Sequence, residues 1–207
     1  MDVTIYEHGD NWLIRAMLDT ELVDRLDGLV DRDIDGFVAD KDNYTCKGDA
    51  VQQYWLQRHD GNYISKQDLA DAVSALGQIV GKLCVSAELF DSSALNTLRP
   101  DGIWTVKGDE GSFHTIHQHN GKGSVLGIST VLYLNVPETN DDEKPENNVY
   151  FVMNSSAQTP FSASQSRVIT HSPKRGELFV FPNWLLHGTY PQSKGLRQTF
   201  NADYSAQ

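Results

Sequence analysis

The chain has 207 residues, with 17 basic against 28 acidic side chains and a formal net charge of −11. Hydrophobic residues make up 39% and aromatic residues 10%, a globular rather than a disordered composition. The acidic balance argues against a general binder of nucleic acid or of membrane surfaces, because both are anionic.

Two cysteines, Cys46 and Cys84, are too few for a disulfide framework and suit a reducing cytoplasm. The opening residues, MDVTIYEHGDNW, lack the basic-then-apolar pattern of a secretory signal. No apolar run approaches the roughly 18 residues of a membrane span. The length predicts one domain over 1–207.

Up to about residue 95 the periodicity is helical. Leu22, Leu26, Leu29 and Val30 form a short apolar face behind a cap at Asp19 or Thr20. The strongest helix runs from Ser65 to about Leu89. There Leu69, Val73, Leu76, Val80 and Leu83 keep one face apolar, although Gly77 and Gly81 interrupt it. Ser65 with Asp68 resembles a capping box, and Ile64 with Leu69 fits a hydrophobic staple.

From about residue 96 the chain becomes short β runs separated by turn compositions. The runs are Ile103–Lys107, Phe113–His119, Val125–Val136, Val149–Met153, Arg167–Thr170, Glu177–Phe181 and Leu196–Tyr204. Such a series predicts a sandwich or jelly roll. The whole reads as α+β, mainly β, with a helical part over 1–95 and a β core over 96–207. The acidic stretch Asp141–Glu146 reads as a solvated loop.

Three of the seven histidines crowd into FHTIHQHN. In a strand, alternate residues share a face, so His117 and His119 point together and His114 points away. Two imidazoles on one face can grip one metal ion, and a distant third ligand is then expected. His187, just after the apolar run GELFVFP, is the best placed. Arg197 and Thr199 share a face of the last run, and Tyr133 shares one with Ser129 and Val131. A buried arginine needs an anion, and its planar fork suits a carboxylate.

The ordered set is His117-Gln118-His119-Asn120, then Tyr133-Leu134-Asn135 starting fourteen residues after His119, then Gly176–Pro182, His187 and Arg197. In this order the sequence resembles the 2-oxoglutarate- and Fe(II)-dependent oxygenases, most closely their bacterial and phage branch and more distantly the prolyl hydroxylases. The resemblance covers about residues 100–204. It implies a double-stranded β-helix (jelly roll) with the N-terminal helices packed on one sheet. It also implies Fe(II) held by His117, His119 and His187, and 2-oxoglutarate held by Arg197, Tyr133 and Thr199. No catalytic residue is expected beyond these ligands.

The implied activity is a dioxygenase reaction on an unidentified protein, peptide or small molecule, with succinate and CO2 as co-products. It would run in the cytoplasm of a bacterium or a phage-infected host, without nucleic-acid or membrane partners. One departure stands out: the commonest pattern of the family has Asp or Glu where this chain has His119. His114 is an alternative ligand only if a bulge turns it.

Two other readings compete. Gly111 stands six residues before His117, and Gly176, Pro182 and His187 match a second spacing, as in cupins. Against a cupin, Gly123 and Ser124 occupy the place of the first motif's glutamate, and Trp184 that of a glycine. The third reading is a catalytically inactive jelly-roll binding module.

Overall fold

A computed structural model describes residues 2–34, 38–40, 46–47, 52–57, 67–93, 98–119, 126–137, 145–153 and 167–206. Its elements are β1 (Val3–His8), β2 (Asn11–Met17), α1 (Thr20–Asp33), β3 (Val38–Asp40), β4 (Cys46–Lys47), β5 (Gln52–Gln57), α2 (Gln67–Ser86), β6 (Leu98–Gly108), β7 (Phe113–His114), β8 (Leu126–Asn135), β9 (Val149–Val152), β10 (Val168–His171), β11 (Glu177–Pro182), β12 (His187–Thr189) and β13 (Arg197–Ala206).

Eight strands form the major sheet in the order β1-β2-β11-β8-β13-β6-β5-β3; β10-β9-β12 form a minor sheet, and β4 pairs with β7. Every pairing is antiparallel. The mainly β jelly-roll architecture is as expected, and so are all seven C-terminal runs, although the run expected over Phe113–His119 is only partly regular.

The helical reading of residues 1–95 needs correction. Among the described residues that segment supplies α1 and α2, but also five strands, four of which are in the major sheet. The helical signal dominated because it is long, whereas these strands are short. Asn11–Met17 is also buried on both faces: Ile14 and Ala16 meet one core and Leu13 the other. A strand of that kind has no clean alternation to read.

The two helices lie on one face of the major sheet. Leu26, Val30, Leu76 and Val80 meet Leu132, Leu178, Phe200 and Ala202 in the larger core. Asp19 caps α1, its side chain accepting from the Glu21 N–H at 2.8 Å. α2 runs through both glycines. At Gly77 a Cβ would come 3.3 Å from the Tyr204 ring, so the absent side chain permits close packing on β13. By length and composition α2 could cross a membrane, yet eight of its residues are buried within the fold. Ser65, Ile64 and most of the acidic stretch fall outside the described residues.

Between the two sheets lies a second core of Leu13, Tyr133, Val149, Phe151, Met153, Phe179, Phe181 and Leu185. The histidine cluster stands beside it.

Candidate metal centre

His117 and His187 form an isolated antiparallel bridge, each backbone N–H donating to the other's carbonyl at 2.9 Å. Two residues on, the His119 N–H donates to the Asn183 carbonyl at 2.8 Å. These bonds fix the chain just where it leaves regular pairing. Gly188 contributes as well: a Cβ there would sit 2.4 Å from the Tyr150 hydroxyl and 3.0 Å from the His114 carbonyl, so only glycine lets β12 lie this close.

One ring nitrogen from each of His117, His119 and His187 lies within 4.8 Å of the others. The ring centroids are 4.3 Å apart for His117 and His187, 5.0 Å for His119 and His187, and 5.3 Å for His117 and His119. Each Nδ1 faces an acceptor: the Thr115 carbonyl at 2.7 Å, the Asp203 carboxylate at 2.8 Å and the Leu185 carbonyl at 2.9 Å, respectively. With Nδ1 donating, each neutral ring keeps the Nε2 lone pair for a metal.

Burial favours the neutral form too. It lowers the His117 imidazole to about 4, with nearby His119 adding to the effect. Burial, followed by His119 and His117, also holds His187 well below the usual histidine range. The donor set is therefore chemically suited to a divalent cation.

The regular strand expected over Phe113–His119 breaks after His114, with a bend at Ile116 before pairing resumes at His117. The two-residue alternation therefore fails between 114 and 117, though it holds from 117 to 119. As a result His114 does not point away. Its ring centroid is 5.5 Å from that of His117, and burial followed by His117, Arg197 and His119 depresses its pKa. It lies outside the three-histidine group.

Arg197 is buried, and its Nη2 donates to Thr189 Oγ1 at 3.1 Å. Thr199 is directly opposite Tyr133 in the β13–β8 register, and both are buried. Burial pushes the Tyr133 hydroxyl up to about 12, against the opposing pull of the Arg197 charge. A protonated phenol donor and a guanidinium thus occupy one buried region.

Sequence reading missed three neighbours of the centre. Asp203 and Ser129 meet His119, and the Trp104 ring lies 5.2 Å from the His119 ring. A signal for Asp203 was available: it continues the polar alternation Arg197, Thr199, Asn201 along β13.

Comparison with known proteins agrees with this geometry. The family described as "Putative 2OG-Fe(II) oxygenase" matches residues 102–203, which span the three histidines and Arg197. Over those residues, just under half of the chain, it is similar to the 2-oxoglutarate/Fe(II) oxygenases. The match indicates an oxidoreductase, and the family implies Fe(II) and 2-oxoglutarate.

Among solved structures, the oxygenase fold is shared with a Pseudomonas putida prolyl-4-hydroxylase at 17% identity and a TM-score of 0.61, covering 99% of this chain and 92% of the other. An oxidoreductase of the 2OG-Fe(II) oxygenase family from Burkholderia pseudomallei gives 14% and 0.62, with 92% and 85% covered. The viral collagen prolyl hydroxylase of Paramecium Bursaria Chlorella virus-1, in its 2OG complex, gives 12% and 0.57, with 94% and 96% covered. No curated protein matches the sequence.

Proposed function

We propose that this oxygenase hydroxylates an unidentified substrate, with 2-oxoglutarate converted to succinate and CO2. In this reading His117, His119 and His187 hold Fe(II), while Arg197, Tyr133 and Thr199 hold the far carboxylate of 2-oxoglutarate. The chain acts as one domain, in the cytoplasm of a bacterium or of a phage-infected host. The buried free thiol of Cys84 is consistent with a reducing compartment. The prolyl hydroxylases among the similar structures support a protein or peptide substrate, and the family match equally accommodates a small molecule.

The observation that carries the reading is the convergence of three imidazoles whose Nδ1 atoms are all anchored. When bound, Fe(II) and 2-oxoglutarate supply the activation of O2 and the oxidising power. The protein's residues do the rest. The three histidines would hold the metal through their Nε2 atoms. Arg197 pairs with a carboxylate through its planar fork, and the Tyr133 hydroxyl donates a hydrogen bond. Phe181 and Phe151, with ring centroids 4.7 and 6.0 Å from that of His187, keep water from that side.

Arg197→Ala tests the cosubstrate half. Losing one partner of a desolvated charge pair costs on the order of 2–5 kcal/mol, so 2-oxoglutarate binding should weaken at least about thirtyfold. Metal content should stay that of the parent, and Arg197→Lys should recover part of the loss. The readout is the anaerobic Fe(II)–2-oxoglutarate charge-transfer band titrated with 2-oxoglutarate. Unchanged binding in the alanine variant would remove Arg197 from the reading and return the cupin alternative.

A further inference from the structure

Three neutral imidazoles bring no charge to a dication, so the electrostatics of the centre depend on what stands behind them. Behind His117 and His187 the Nδ1 acceptors are backbone carbonyls, those of Thr115 and Leu185. Behind His119 the acceptor is a carboxylate: Asp203 Oδ1 lies 2.8 Å from His119 Nδ1. Ser129, the cross-strand partner of Asp203, donates its hydroxyl to the same oxygen at 2.7 Å, and its Oγ lies 3.0 Å from the ring nitrogen. Asp203 is 9% exposed and sits on the β13 face that also carries Arg197 and Thr199.

We propose that Asp203 is a positioning residue that acts through His119, fixing its Nδ1–H form, aiming Nε2 at the metal and supplying the negative charge the ligand set lacks. This rests on the reading of His117, His119 and His187 as the metal ligands. A carboxylate that accepts from the far nitrogen of a ligating imidazole fixes the ring's tautomer and orientation and raises its basicity. Ser129 holds the carboxylate in place, leaving its charge directed at one ring. By this account the His119–Asp203 pair does jointly what a directly ligating carboxylate does alone.

The test uses the full chain, with Co(II) as the probe in competition titrations against a chelator. Asp203→Asn keeps the shape but removes the charge, and Co(II) affinity should fall about 10–100-fold, the usual effect of losing such a partner. His119→Asp places two carboxylates together, so it should bind Co(II) poorly by itself. The combination His119→Asp with Asp203→Asn should recover at least about tenfold over His119→Asp alone, a coupling that a purely structural Asp203 would not give.

If the parent chain binds no Co(II), the metal-site reading falls. If the parent binds and Asp203→Asn binds equally well, or if the double variant gains nothing, only the role of Asp203 falls. Should Asp203→Asn not fold, 15N NMR of the parent's His119 ring decides: the Nδ1–H form is required, and a predominant Nε2–H form overturns the proposal.

Discussion

The two faces of β13 make the most instructive comparison in this molecule. On one face Phe200, Ala202 and Tyr204 enter the core shared with the helices. On the other, Arg197, Thr199, Asn201 and Asp203 are also buried, yet all are polar. Burial alone explains the first face, since removing apolar surface from water is favourable. It opposes the second, because a buried polar group stabilises nothing unless it is hydrogen-bonded. The polar face has such bonds: Asn201 donates to Thr199 Oγ1 at 3.1 Å, and Asp203 accepts from Ser129 and His119. One face holds the fold, and the other carries the proposed site.

This contrast can be broken or sharpened by substitution. The largest effect is expected from His187→Ala, which removes one of the three proposed ligands. Stoichiometric bound metal should be lost, as read by elemental analysis, while circular dichroism stays that of the parent. Full metal content in that variant would contradict the assignment of His187 as a ligand.

Next comes Phe200→Ala on the apolar face. It should cost about 3–5 kcal/mol in urea unfolding, the usual range for a buried phenylalanine. Metal content per folded molecule should not change. If metal were lost before stability, the two faces would not be separable.

Glu177 gives a smaller, pH-dependent effect. Burial alone would raise its carboxyl, but the His171 ring at 2.8 Å, the Lys174 N–H at 2.9 Å and the Arg15 guanidinium hold it below the ordinary value. A carboxylate with a depressed folded pKa contributes stability above its unfolded value, about 4.3 for Glu. That contribution is lost as pH falls through the lower folded value. Glu177→Gln should therefore cost about 1–3 kcal/mol near neutral pH, the scale of hydrogen bonds to charged groups. The gap in thermal stability from the parent should close as the solution is acidified below that range. A gap that widened in acid would show the sign to be wrong.

The smallest effect is expected from Tyr133→Phe. Losing one hydroxyl donor should weaken 2-oxoglutarate binding about two- to tenfold, corresponding to about 0.5–1.5 kcal/mol. The apolar body of the ring remains packed against Phe179, whose centroid is 6.0 Å away, so stability should hold. Calorimetric titration of the metal-loaded chain measures both the affinity and the stoichiometry.

The sequence by itself determined the elements with a strong local period. α1 and α2 follow from apolar residues at helical spacing, and the C-terminal strands follow from short runs between turn residues. It also determined which histidines would meet, because the pair His117 and His119 and the residue after an apolar strand are local features of the chain. That Arg197 and Thr199 share a face was legible in the same way, from alternation within one strand, whereas their burial with Tyr133 was implied only by the family resemblance.

Only the tertiary structure decided the rest. Strands β3 and β4 are three and two residues long and β2 is buried on both faces, so their period was weak; pairing with distant β11 and β6 placed β2 and β5. Hydrogen bonds to residues 183 and 187, far along the chain, bent the segment after His114 and turned its ring toward His117. Asp203 reached His119 across 84 positions of sequence. A period of two or 3.6 residues records which face a side chain takes within its own element. It carries no record of what the fold sets opposite that face, and the charge behind His119 is decided there.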